Sequence, residues 1–256
     1  VQGEPRLTYT GTSMRIQLAA GSPDCEGAGT VQIWEASAGS VTPTANAHHL
    51  VIEHSCNAGI SILTPANKIG RISFGSPTDN NQGNVLYNHC TDTMTLRTAN
   101  TDALSINATG AVTMPLQPAF LVTATGQANA TGNNTTVTVA WASEIFDQNA
   151  DFDPTNNRFA APVTGRYFFN FSIRMDETGS GDNLLFVVIT PNRNYEFNLD
   201  AEQVGVSGSV RYAASVFADM DASEVVTITA RLNGTGGDTA DIITGQDSWW
   251  AGFLVA

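Results

Sequence analysis

Four oxygen-bearing side chains at alternate positions, Asp147, Asn149, Asp151 and Asp153, are the residues of this chain best placed to bind a cation. Their spacing begins the D-x-[DN]-x-[DN] pattern of a calcium loop, in which carboxylate and amide oxygens surround a hard ion. The rest of the loop requirement is unmet. Position six is Phe152, where a tight turn needs Gly, and position twelve is Arg158, where the ion needs a bidentate Glu. Asp-Pro at 153–154 and Asn-Asn at 156–157 instead read as a turn, and Gly165 closes a second turn into the strand that follows. The run is expected to be the approach to a strand, with no metal.

Catalytic groupings fare no better. Hydrolysis by a nucleophile needs Ser, His and an acid in one place, but His48, His49, His54 and His89 all lie in the first half and no G-x-S-x-G occurs. The segment "GSGD" at 179–182 has no His near it in sequence, and "GTGGDT" at 234–239 lacks the Lys and helix of a phosphate cradle. Asp219/Asp221 and Asp238/Asp241 fall in turns, the ordinary place for solvated acids. A surface-glycan depolymerase with a site between subunits is the enzymatic alternative, since glycoside hydrolysis needs only two facing carboxyls. The reading is of a non-enzyme with no cofactor.

The elements that position these residues are strands. No stretch keeps an i, i+3, i+4 apolar period for three turns, so the chain reads as all-β. From Leu50 to Met114 the apolar residues come as short alternating sets: Leu50/Ile52, Ile60/Ile62, Ile72/Phe74, Val85/Tyr87, Met94/Leu96, Leu104/Ile106 and Val112/Met114. Turn residues separate them. Each set buries two side chains on one face, too few for a core, so such strands must share a core with other copies wound about a common axis. On a three-fold axis one His per chain could supply three metal ligands, although satisfied or exposed His is the ordinary outcome. "LVIEHSCNAGISI" (50–62) weakly echoes "VLYNHCTDTMTL" (85–96).

Beyond the Pro-flanked joint "MPLQP" (114–118) the strands lengthen. In "RYFFNFSI", Tyr167, Phe169, Phe171 and Ile173 alternate with Phe168, Asn170 and Ser172, and "VVTITARL" (225–232) alternates likewise. "LLFVVI" (184–189) and "SWWAGFLV" (248–255) are apolar on both faces and are expected to need a second sheet on one side and a neighbouring subunit on the other.

Composition narrows the partners. Of 256 residues, 24 are acidic and 11 basic, a formal charge of −13, which opposes phosphate backbones and anionic lipid. No nucleic acid partner and no membrane insertion are expected, and no apolar run reaches the roughly 18 residues of a membrane helix. The opening "VQGEPRLTYT" lacks the basic and apolar regions of a signal peptide and has no Met, as in a processed product or fragment. Cys25, Cys56 and Cys90 are an odd number without CxxC and are expected to be lone buried thiols, with a single disulfide and one thiol left over as the alternative. The Asn-x-Thr/Ser triplets at Asn107, Asn129 and Asn170 are unsurprising in so Asn- and Thr-rich a chain.

"FDPTNNRFAAPVTGRYFFNFSI" resembles the segment of complement globular heads, relatives of tumour necrosis factor, that runs Phe-Asp, turn, Phe, Pro-Val-x-Gly corner, Tyr and Phe. "SGSVRYAASVFADMDASEVVTITARL" and "DSWWAGFLVA" resemble later motifs of that family in the same order. The acidic turn departs from the family's Gly-Asp-x-Val, and loops 174–183 and 233–246 carry no family signature. The resemblance implies a ten-stranded jelly roll that trimerises and recognises ligands without catalysis, with Asn149, Phe159, Gly165, Tyr167, Phe169, Gly252 and Phe253 as scaffold. Residues 69–114 resemble shaft segments of bacteriophage tail fibres, in which Ile-x-Phe-Gly, Gly-x-Ile-x-Tyr and Ser/Thr-Met-x-Leu/Phe-x-Thr strands and a closing Leu-x-Ile-x-x-x-Gly-x-Val unit recur, with Val85 here in place of the second motif's Ile.

Together these imply a β-shaft (1–114), a linker (115–118) and a jelly-roll knob (119–256). The expected protein is a homotrimeric virion appendage, extracellular after release. Its tip would attach to a host cell-surface receptor, glycan or protein, and its N-terminal end to other virion proteins. Attachment would be multivalent. A secreted, non-viral complement-head module ranks second, because no collagen-like Gly-x-y run accompanies it. Candidate core or trimer-interface residues are Tyr167, Phe169, Phe186, Trp249, Trp250 and Phe253, with one Trp pointing inward and the other outward. Candidate contacts on loops 126–135, 174–183, 192–194 and 233–246 are Asp176, Asp182, Asn192, Arg193, Asn194 and Asp238.

Overall fold

A computed structural model describes residues 31–34, 36–40, 43–44, 46–47, 49–179, 183–200 and 208–256. Cys25, His48 and Asp182 lie outside the described residues. Two compact units divide between Thr64 and Pro65. All regular structure among the described residues is β, as the absence of a helical period predicts.

In the first unit β1 (Val31–Trp34) and β2 (Leu50–Glu53) pair in parallel, Val31 opposite Leu50. Ile60 and Ile62 form no strand and are exposed. An alternating set becomes a strand only where another strand offers it hydrogen bonds, and this one has no such neighbour among the described residues. The echo between 50–62 and 85–96 is therefore not a structural repeat: one copy is a parallel strand followed by irregular chain, the other an antiparallel hairpin.

The second unit opens with a single antiparallel sheet of β3 (Ile69–Phe74), β4 (Gly83–Asn88), β5 (Thr93–Thr98), β6 (Thr101–Ile106) and β7 (Val112–Thr113), in sequence order. It is one layer thick, and Leu86 is its only buried apolar side chain. Cys56 and Cys90 are exposed thiols, contrary to the expectation of burial, because they sit in a bend and a turn, outside the strands.

The jelly roll follows. One sheet contains β8 (Ala119–Ala124), β9 (Gln127–Thr131), β11 (Trp141–Gln148), β14 (Gly165–Asp176), β17 (Ser209–Met220), β19 (Ala240–Ile242) and β20 (Gly245–Leu254). Its central order is β11-β8-β20-β14-β17, with β19 and β9 continuing from the far end of β14. The facing sheet contains β10 (Thr136–Thr138), β12 (Phe152–Asp153), β13 (Arg158–Ala160), β15 (Asn183–Ile189), β16 (Asn194–Asp200) and β18 (Val225–Asn233), in the order β12-β13-β18-β15-β16 with β10 also on β18.

Alternation along the strands builds the core between the sheets. Tyr167, Phe169, Phe171, Ile173 and Met175 of β14 face Leu184, Phe186 and Val188 of β15 and Val226, Ile228, Ala230 and Leu232 of β18, all buried. Phe120 is the aromatic centre, 4.8 Å from Phe159, 5.2 Å from Phe152 and 5.0 Å from Trp250 between ring centroids. Edge-to-face and offset contacts of this kind add to the burial of large rings. Gly252 is required there: a Cβ would stand 2.6 Å from Phe169 Cδ1 and 2.7 Å from Phe120 Cε1.

Gly252→Ala is expected to destabilise the jelly roll by about 1–3 kcal/mol, the usual cost of overpacking a filled core. Denaturant unfolding followed by Trp fluorescence measures it, and an unchanged midpoint would show that the two rings give way freely.

Candidate interaction surfaces

The opening Asp/Asn run is turn architecture. Asp147 accepts hydrogen bonds from the backbone N–H groups of Asp151 (3.2 Å) and Phe152 (3.0 Å). Asp153 accepts from the N–H groups of Thr155 and Asn156, the Asn156 side chain and Arg158. These donors, the Asn156 amide foremost, hold the Asp153 carboxyl below its ordinary pKa. Asp151 is pushed the other way by burial and by Asp147. Asn149 donates from its side chain to Leu116 O (2.7 Å), and Gln148 donates to Met114 O (2.9 Å) and Gln117 O. Thus the run anchors the 114–118 joint to the jelly roll.

The six candidate core or interface residues divide between two sites. Tyr167, Phe169, Phe186 and Trp250 are completely buried core. The Tyr167 hydroxyl also donates to Val163 O at 2.7 Å. Trp249 and Phe253 lie on the outer face of the seven-stranded sheet, Phe253 with 47% of its surface exposed. One Trp pointing in and one out is what strand alternation predicts.

Much of that outer face is apolar. Phe168 packs against Phe217 (5.0 Å) and Phe253 (5.5 Å), its cross-strand partners on β17 and β20. Phe217 is 64% exposed, and Ile145 and Phe146 are exposed beside β8. Leu121, Thr123, Ile145, Gln246, Trp249 and Ala251 line an adjoining hollow of about 450 Å³. Toward the far end of β14 the same face turns polar. Arg174 pairs with both oxygens of Asp176 (2.9 and 2.8 Å) and with Asp247 (3.0 Å), while Arg211 also pairs with Asp247. Arg174 and the Ser209 hydroxyl lower the pKa of Asp176.

Phe217, Ile145 and Phe146 were not singled out in the sequence. Phe217 is the only large apolar residue among the outward positions of β17, and nothing local to it reveals that Phe168 lies across the strand. The other two-faced strand behaves differently. The outward row of β15, Leu185, Val187 and Ile189, was expected to need a subunit, yet it is half-buried or better, with Val187 at 9% exposure. Asn198, Glu196 and Asn194 of β16 and Arg231, Thr229 and Thr227 of β18 flank it in register. A single apolar row between two polar rows is shielded within its own sheet.

The candidate contact residues do not converge on one tip. Asp176 and Asp238 lie at the end of the jelly roll where β14 finishes. Asn192, Arg193 and Asn194 lie at the opposite end, where the joint enters. The reason is topological: β15 runs antiparallel to β18 and carries its following turn back toward Asp219 and the start of β18. There Arg193 pairs with Asp219 (2.9 Å), and Asn192 donates to Asp219 O and Glu224. At the far end Asp238 accepts from Asn133 N–H (2.9 Å) and Thr135 Oγ1 (2.7 Å), clasping the 132–135 turn to the 233–239 loop. Among the described residues no group of three or more His, Cys, Asp or Glu is arranged to hold a metal. His89 packs edge-on against Tyr87, and the His54 ring nitrogen accepts from Cys56 N–H.

A two-sheet jelly roll with one bare apolar outer face and interlocked loops at its ends defines the class of the second half: a β-sandwich interaction domain. The model of the C1q domain matches residues 119–255, and the chain belongs to the C1q domain family. Domains of this family form homotrimers that bind receptors, typically without catalysis. No curated protein matches the chain. Among solved structures, the globular domain of a zebrafish complement 1qA protein is 20% identical, covering 55% of this chain and 98% of its own, with a TM-score of 0.40. A crystal structure of murine APRIL is 8% identical, covering 54% and 99%, with a TM-score of 0.38.

The Asn133 and Thr135 donors hold the Asp238 carboxyl below the ordinary value of about 3.9. A lowered carboxyl pKa contributes stability above the unfolded value and loses it as pH falls through the folded one. The Asn133 amide resonance is therefore expected to shift with a midpoint below that ordinary value as the carboxyl takes up its proton. In Asp238→Ala the same resonance should be displaced at neutral pH and show no such titration, while a wild-type midpoint above that value would remove the clasp.

Proposed function

We propose that this chain is a homotrimeric, non-catalytic binding protein of the complement-head type, its C1q domains joined through the outer face of the seven-stranded sheet. The observation that carries this reading is the outward aromatic set of half-buried Phe168 with exposed Phe217 and Phe253 on a domain of a trimer-forming family. A monomer would leave that set in water at about 25 cal/mol per Å² of apolar surface, and aromatic side chains are the usual anchors of interfaces. Three identical loop sets then face one direction, so weak contacts to a receptor add through avidity. The loops around Asn133, Asp176 and Asp238 lie at the end away from the joint, which leaves them accessible to a ligand.

A second reading, a bacteriophage tail fibre or related virion appendage, draws its support from the single-layer sheet between Ile69 and Thr113. Such a sheet suits a fibrous shaft better than a free-standing domain. Attachment to a host receptor through the same loops would follow. Antibodies raised against residues 119–256 distinguish the two: decoration of particle appendages in electron micrographs favours the virion, and recovery of the antigen only as free soluble trimer favours the secreted module.

Light scattering tests the shared core of both readings. The full chain is expected at three times its monomer mass, and Phe217→Glu, which places a charge in the centre of the apolar face without touching the buried core, is expected to reduce it to one chain. A wild-type mass of one chain would defeat the proposal.

A further inference from the structure

The five-stranded sheet before the joint has two unequal faces. Register places Ile72, Val85, Leu96 and Leu104 in one cross-strand row, and Tyr87, Met94, Ile106 and Val112 in the next, with Phe74 beyond the first. All of these point to the same side. Ile72 is 48%, Met94 43% and Phe74 60% exposed. None of the nine carries a charge.

The opposite face is mostly polar, with Leu86 and Ile69 as its apolar side chains, and its polar groups pair with one another. Ser73 donates to Asn84 (2.8 Å), Thr95 and Ser105 share a hydrogen bond (3.3 Å), and Arg97 pairs with Asp102 (2.8 Å). Asn84 and Thr95 are buried there, as is Leu86. The sheet has thus completed the side that could face water and left bare the side that could not. A lone layer with one buried apolar side chain does not supply its own core.

From this asymmetry we infer that the apolar face of residues 69–113 is covered by the equivalent faces of two further copies of this chain, forming a three-sided prism about the axis of the C1q trimer. The inference rests on the trimeric reading above. Two observations favour a second copy of the chain as the occupant. The sheet ends at Thr113, and the joint after it is held to the jelly roll by Gln148 and Asn149, so three associated jelly rolls deliver three sheets at high local concentration. In addition, a chain with a net charge of −13 meets its own copies with least like-charge cost across a surface poor in charge, and this face is one, bordered by the Asp92 carboxylate that accepts from the Tyr87 hydroxyl (3.1 Å) in the β4–β5 turn. Arg71, Arg97 and Asp102 then face solvent, while Leu96 and Met94 lie inside.

Limited peroxide oxidation of the full chain, read by mass spectrometry at Met94 and combined with light scattering, tests this. Oxidation follows exposure, so Met94 in the wild-type trimer is expected to react about tenfold or more slower than the same methionine in a short peptide. Leu96→Glu is expected to keep the mass at three chains, held by the jelly rolls, while Met94 reacts at nearly the peptide rate. A trimer whose wild-type Met94 reacts as fast as the peptide overturns the prism and leaves the trimeric jelly roll standing. A mass of one chain overturns both.

Discussion

Everything in the second half of the chain depends on the aromatic packing between its two sheets. Phe120 from one sheet meets Phe152 and Phe159 from the other, Trp250 closes over them, and Gly252 leaves room for the Phe120 and Phe169 rings against its backbone. Because alternate side chains of a strand point to opposite faces, committing Tyr167, Phe169 and Phe171 to this core commits Phe168 to the outside. Filling the core therefore determines which residues are offered to a partner.

The two outer faces of the sandwich resolve that constraint differently. On the β15 side, polar rows from β16 and β18 flank one apolar row and shield it. On the β14 side, Phe168 has aromatic neighbours on both adjacent strands, so the apolar area grows instead of being screened. The polar network of Arg174, Asp176, Arg211 and Asp247 then bounds the patch at one end. The five-stranded sheet repeats the same logic without an inner layer: one face of matched polar pairs, one face of unmatched apolar rows.

The loops follow from the strands that carry them. Asp238 and Asp147 look like candidate ligands in a linear reading, yet both accept backbone N–H groups and act as clasps. One clasp joins two loops at the far end of the jelly roll, and the other, with Gln148 and Asn149, secures the joint. Carboxylates spent in this way stabilise the frame on which neighbouring, less encumbered side chains can be displayed.

By itself the sequence determined the all-β class, the inward residues of β14 and β18, the opposed directions of Trp249 and Trp250, and the order of the complement-head motifs. All of these are carried by local alternation and short-range turn chemistry. Tertiary structure alone decided that Ile60 and Ile62 would form no strand, since pairing needs a neighbour that no local signal announces. It also decided that the row of Leu185, Val187 and Ile189 would be shielded within its own sheet, that Phe217 would join Phe168 in an exposed cluster, and that Asn192 to Asn194 would sit at the end opposite Asp238. Each of these depends on which strand lies beside which and in what register, a relation between residues tens of positions apart that alternation within one strand does not encode.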